Sequence, residues 1–174
     1  MMQGTGRIYA WDMHEHRVAL IHAMKNRLHL ENVRPAMHDA AILKEDLVDS
    51  MDAVLLDAPC SGLGVMDDKP DIKLRISEES VAELCGIQEK LLDVCSSYVR
   101  KGGTFVYSTC SVLSQENSEQ IRHFLEKHHD FVIASLPESI PEKYRQHCTP
   151  LGLQLLPFRD DTEGFFIAVM KRER

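Results

Sequence analysis

Short apolar runs in this chain stop, one after another, at an acid. Arg7-Ile8-Tyr9-Ala10-Trp11 ends at Asp12, Val33 to Met37 ends at His38-Asp39, and Asp52 to Leu56 ends at Asp57. Between them the apolar spacing turns helical, with Val18, Ile21, Met24 or Lys25, and Leu28 on one face, and then a short helical piece around Ile42 to Val48. Strands alternating with helices, joined by right-handed crossovers, predict a mostly parallel sheet covered on both faces. Pro35 removes a ladder donor and so assigns the second strand to an edge. Open sheets of this kind bind ligands beyond the strand carboxyl ends. The residues that follow each run therefore carry the functional information.

The second half continues the alternation. Ser77, backed by Glu78 and Glu79, caps a helix marked by Val81, Leu84, Ile87, Leu91, Val94 or Cys95, and Tyr98, which Gly102-Gly103 is expected to stop. A strand over Thr104 to Tyr107, a helix over Gln115 to Lys127, and strands over Phe131 to Ser135 and Phe165 to Met170 follow, the last two flanking a proline-punctuated stretch. Cys85 and Cys95 fall on the apolar helix and read as core thiols. At 174 residues and 44% hydrophobic content, one ordinary core and one domain are expected.

Two other cysteines sit where strands end: Asp57-Ala58-Pro59-Cys60-Ser61-Gly62 and Tyr107-Ser108-Thr109-Cys110-Ser111. Five cysteines form an odd set without a Cys-x-x-Cys pair, which argues against a disulfide framework or a zinc knuckle, and the nine histidines have no metal-ligand spacing. No metal is expected. No run is long enough to span a bilayer, and the first six residues lack the basic and apolar parts of a secretion signal, so the default is cytoplasmic, without a membrane partner. The net charge of −7 opposes autonomous binding to a phosphate backbone. Local basic groups nevertheless follow the first cysteine motif, as Lys69, Lys73 and Arg75, and close the chain, as Lys171, Arg172 and Arg174; either set also reads as plain solvated surface.

Asp12 alone reads equally as a helix cap, and Asp39 alone as a turn carboxylate. Three acids in register at successive strand ends favour a nucleoside-type cofactor, because a carboxylate accepts from both ribose hydroxyls. A thiol adds to an electron-poor carbon once the acceptor is activated, and carbon 6 of a pyrimidine is such an acceptor. Hydrogen bonding at ring nitrogen 3 activates it, a task suited to Asp57, three residues before Cys60. Carbon 5 then attacks an electrophilic methyl group, and loss of its proton expels the sulfur. Two thiols thus have two jobs, attack and release.

The chain resembles the Nol/Nop/Sun family of RNA cytosine-5 methyltransferases from about Thr5 to Lys171. The resemblance is carried by Asp57 to Gly64, by Lys69-Pro70-Asp71-Ile72-Lys73, by Gly102 to Ser111, and by Gly164-Phe165-Phe166-Ile167-Ala168. It implies a Rossmann-like α/β sheet of the class I S-adenosylmethionine-dependent type, mostly parallel with an antiparallel C-terminal strand. It further implies Cys110 as nucleophile and Cys60 as the thiol assisting breakdown of the covalent intermediate. Asp12 is expected at the ribose of S-adenosyl-L-methionine, Asp39 near its adenine, Arg17 near the cofactor, and Asp57 facing both cofactor and cytosine. Pro59, Lys69 and Lys73 are the expected contacts to RNA, whose target nucleotide the family unstacks to expose the reacting ring.

Asp67 and Asp68 stand where the family often carries basic residues. The family's first strand, its glycine-rich cofactor loop and its N-terminal RNA-binding domain precede the segment matched here, so residues 1–174 are expected to be a C-terminal portion of a larger enzyme that alone binds S-adenosylmethionine weakly or not at all. The alternative is a noncatalytic Rossmann-like module that forms a homodimer through exposed sheet edges.

Overall fold

The structure is a computed structural model and describes residues 2 and 5–173. Arg174 of the expected basic tail lies outside the described residues. The chain divides into two compact units, residues 1–43 and 44–174.

In the first unit, strand β1 (Ile8–Asp12) leads into helix α1 (Glu15–Arg27) and then strand β2 (Val33–Met37), which pairs with β1 in parallel from Ile8 opposite Val33 to Asp12 opposite Met37. Pro35 does sit on an edge, opposite Ala10. Val18 is the buried anchor of α1, whereas Met24 and Leu28, expected on the same face, are more than half exposed. The helical piece expected after β2 is only a 3-10 turn over Glu45–Leu47.

The second unit is built on strand β3 (Met51–Asp57), parallel to strand β4 (Val99–Thr109), with helix α2 (Glu78–Ser96) connecting them. Ser77 caps α2 as expected, but its capping-box partner is Ser80. The helix stops at Ser96, earlier than the glycines suggested, because the Ser96 and Ser97 hydroxyls both turn back to the Asp93 carbonyl. Gly102-Gly103 instead lies inside β4, where the register against β3 shifts between Met51 and Ala53 and Gly102 takes φ +76. The buried stripe of α2 is Val81, Gln88, Leu91, Leu92 and Cys95; Ile87 points outward and is 48% exposed.

Helix α3 (Ser118–Lys127), strand β5 (Phe131–Ile133), helix α4 (Glu142–Arg145), strands β6 (Cys148–Thr149) and β7 (Gly152–Leu155), helix α5 (Pro157–Asp160) and strand β8 (Phe165–Arg172) complete the unit. Strand β8 runs antiparallel to β4, as expected of the closing strand, and the antiparallel part reaches further: β5 and β7 both pair with β8, and β6 with β7. Phe105, Phe124 and Phe131 meet edge to face under this sheet, with centroids 5.3 to 6.1 Å apart. Arg172 is bound up in this packing through Asp130 and Asp49 rather than offering a free basic tail. The other edge of β3 has no strand partner among the described residues, and Leu55 on that strand is 68% exposed. No helix among the described residues is long and apolar enough to cross a membrane.

Candidate active site

Parallel pairing of β3 with β4 sets Asp57 opposite Ser108, so the turns after both strands leave the same end of the sheet. The Ala58 amide donates to the Ser108 carbonyl at 2.9 Å, and the Ser108 hydroxyl donates to Asp57 Oδ1 at 2.9 Å. Each strand ends in a cysteine turn, and the turns close on each other until the Cys60 and Cys110 sulfurs are 3.4 Å apart. Both thiols are free and half-buried.

Three glycines make this closure possible. The Gly64 amide donates to the Cys110 carbonyl at 2.9 Å and the Gly164 amide to the Gly64 carbonyl at 2.8 Å; a Cβ on Gly64 would lie 2.1 Å from the Gly164 oxygen. Gly62 takes φ +72 to turn the chain after Cys60, with Ile72 of the following 3-10 turn packed over it.

The thiols differ chemically. A hydrogen bond from Cys60 lowers the Cys110 thiol to about 7, helped by a backbone amide and the Lys69 charge and opposed by burial and by the Asp57 charge. The Cys60 thiol is raised, first by that same hydrogen bond, then by burial and the nearby Cys110 sulfur. Cys110 is thus the more readily ionised thiol and Cys60 the one that keeps its proton longer.

Beneath the sulfurs lies a group that sequence reading missed. Glu116, on a 3-10 turn over Ser114–Glu116, is fully buried. Its carboxylate accepts from the Ser61 amide at 2.7 Å, the Ser61 and Ser111 hydroxyls at 2.5 Å each, and Gln88 Nε2 at 3.2 Å. Gln88 Nε2 also donates to the Pro59 carbonyl at 2.9 Å, which fixes the amide and leaves its Oε1 buried without a partner. Burying a carboxylate without a cation costs several kcal/mol unless donors surround it, and here they do. Asn117 secures the same turn through the Thr109 hydroxyl at 2.5 Å, the Ser111 carbonyl at 2.9 Å and Gln154 at 2.8 Å. The available signal was the repeated Cys-Ser pair, Cys60-Ser61 and Cys110-Ser111, whose serines meet on one acid.

The structure therefore gathers Asp57, Pro59, Cys60, Cys110 and, through its charge, Lys69. No hydrogen bond or ion pair ties Lys73 to them; it lies on the exposed turn over Pro70–Leu74. Asp12, Arg17 and Asp39 belong to the first unit. There Asp12 is the last residue of β1 and Asp39 lies just beyond β2, and the His38 amide donates to the Asp12 carbonyl. Asp12 accepts from the His14 amide at 2.8 Å and faces Arg17 at 3.6 Å, and Asp39 accepts from the Ala41 amide at 2.9 Å. Both carboxylates thus do local turn work, and His14, not Asp12, is the residue that precedes α1. His38 Nε2 is buried without a partner beside the Trp11 ring, 4.6 Å between centroids. Carboxylates with an unsatisfied ring nitrogen at one strand end suit a nucleoside. Among the described residues no cluster of His, Cys, Asp or Glu could hold a metal ion.

A family model described as 16S rRNA methyltransferase RsmB/F matches residues 1–171. The chain is 38% identical to the probable ribosomal RNA small subunit methyltransferase B of Bacillus subtilis, covering 99% of this chain and 39% of that protein. It is 34% identical to ribosomal RNA small subunit methyltransferase F of Aeromonas salmonicida, covering 99% of this chain and 36% of that protein. It thus spans well under half the length of these relatives. Among solved structures, that of PH0851 superposes with a TM-score of 0.88 at 30% identity, over 99% of this chain and 38% of that one. NSun6 from Pyrococcus horikoshii with SFG shares the fold at a TM-score of 0.78 and 24% identity, over 99% of this chain and 43% of that one.

Proposed function

We propose, on the premise that this chain belongs to the RsmB/F family of 16S rRNA methyltransferases, that it carries the thiol machinery for methylating carbon 5 of a cytosine in small-subunit ribosomal RNA. The observation that carries this reading is the Cys60 and Cys110 pair, 3.4 Å apart at the ends of two paired strands, with one thiol lowered to about 7. S-adenosyl-L-methionine, when bound, supplies an electrophilic methyl group, and within the first unit Asp12, Asp39 and Arg17 are the residues that would hold its nucleoside.

Cys110 Sγ bonds to carbon 6 of the ring while the Asp57 carboxyl, in its protonated form, donates a hydrogen bond to nitrogen 3, and the displaced electron pair collects at carbon 5. After carbon 5 is methylated it gives up its proton to solvent, the double bond re-forms, and the bond from carbon 6 to sulfur breaks. Cys60 assists by hydrogen bonding to the departing Cys110 sulfur, which leaves as the thiolate. Pro59, Lys69 and Lys73 present the flanking surface to an unpaired RNA segment, where exposing a base costs least. Five free cysteines suit a reducing, cytoplasmic setting. Incubating enzyme, RNA and cofactor and resolving protein under denaturing conditions tests the roles. Cys60→Ala should accumulate a covalent RNA adduct and Cys110→Ala none; the reverse pattern exchanges the assignments.

The unpartnered edge of β3 and the exposed Leu55 favour a second reading, a module that self-associates along that edge. A two-fold pair of this kind would set β3 antiparallel to its copy.

A further inference from the structure

We propose that Glu116 is a positioning residue for the thiol pair: by clamping Ser61 and Ser111 on one buried carboxylate, it holds Cys60 at hydrogen-bond distance from Cys110. The serines directly follow the two cysteines, so whatever fixes them fixes the turns that present the sulfurs. All four partners of the carboxylate are donors, two from Ser61, one from Ser111 and one from Gln88. The bonds to Ser61 reach across 55 positions of sequence. No Lys, Arg or His makes an ion pair with Glu116 among the described residues. A site that needed only filling would be served as well by an apolar side chain, since buried charge is weak evidence for stability. An acid here does what an apolar group cannot: it draws both turns onto one point.

Glu116 does not touch the reacting sulfurs and is not a catalytic residue. Its own surroundings are the Tyr107 hydroxyl, which donates to the Glu116 carbonyl at 2.6 Å, and Cys85, whose thiol meets the Gln115 carbonyl at 3.4 Å, with Glu119 and Gln120 beyond. The groups facing Cys110 are Cys60, Asp57 and Lys69. Of these, Cys60 is the one whose placement depends on the clamp, through Ser61. Loosening the clamp should therefore uncouple the thiols.

The role in methyl transfer rests on the function proposed above, but the coupling does not, and it is measured on the purified chain with neither RNA nor cofactor. Iodoacetamide labelling of Cys110, mapped by peptide mass spectrometry to separate it from the other four cysteines, gives rate against pH. The wild type should show a midpoint near 7. Glu116→Gln, nearly the same shape, sets an amide donor against donors; its midpoint should move toward the ordinary thiol value of about 8.5, slowing labelling at pH 7 roughly tenfold. Ser111→Ala removes one donor of four, keeps the charge, and should give a smaller shift in the same direction; it serves as the reading if Glu116→Gln does not fold. A folded variant with lower Tm and an unmoved midpoint would make Glu116 a structural residue only and overturn the proposal. Loss of methylation without a moved midpoint would tell against the clamp while leaving the proposed function standing.

Discussion

The Cys60 and Cys110 sulfurs stand 3.4 Å apart although 50 positions separate them in sequence. At that distance one thiol donates to the other, so their titrations are linked and the shift that lowers one raises the other. Replacing Cys60 with Ala removes the leading cause of the lowered Cys110 thiol. The pH midpoint of Cys110 alkylation should then rise from about 7 toward the ordinary value near 8.5, and labelling at pH 7 should slow roughly tenfold. An unchanged midpoint would mean that Lys69 and the backbone amide suffice.

Lys69 helps lower Cys110 and stands beside the proposed RNA path. Lys69→Ala should raise that midpoint slightly and weaken binding to single-stranded RNA. The logarithmic salt slope should fall by about 0.7, the share of one phosphate contact. A slope identical to wild type, measured by fluorescence anisotropy, would remove Lys69 from the RNA surface.

Gly64 and Gly86 should respond oppositely to alanine. A Cβ at Gly64 would be 2.1 Å from the Gly164 oxygen, so Gly64→Ala must part the turns and should cost at least about 2 kcal/mol. Gly86 lies inside α2 with nothing within 4 Å, and Gly86→Ala should stabilise by roughly 0.5 to 1 kcal/mol. Urea melts of both variants decide the matter.

The Asp160 carboxyl is held down to about 2, first by hydrogen bonds from Arg159, with the Leu156 amide and the Arg159 and His147 charges adding and desolvation opposing. A carboxyl lowered in the folded state contributes stability above its unfolded value near 3.9 and loses it as pH falls through 2. The Tm advantage of wild type over Asp160→Asn should therefore be full at pH 6 and shrink steadily between about pH 4 and pH 2. An equal gap at both ends would place the stabilisation elsewhere.

If the open edge of β3 drives self-association, light scattering should show a mass that rises with concentration, and Leu55→Lys should hold the protein monomeric. A wild-type mass that stays at one chain across the range would dismiss the second reading.

The first four strands were legible because each is an apolar run ended by an acid or a cysteine turn. Helix faces were less so. Ile87 has the right period for the core of α2, yet Gln88 takes the buried place because Pro59 and Glu116 offer it acceptors. The hairpin of β6 and β7 was invisible: two and four residues leave no periodicity to read, and its pairing depends on β8 far along the chain. Cys60 and Cys110 stood out by their neighbours, whereas Glu116, beside a helix start, looks in sequence like an ordinary acid favoured near the positive end of a helix. Only its burial sets it apart.

The back-to-back meeting of Gly64 with Gly164, and of Gly64 with the Cys110 carbonyl, acts like a rivet through three segments. Neither sulfur-bearing turn can swing away alone without tearing a main-chain bond, so the backbone prevents gross parting of the turns and leaves the finer approach of the sulfurs to the clamp on Glu116. A variant that loosens only that clamp should therefore keep its turns joined and lose the contact between the thiols.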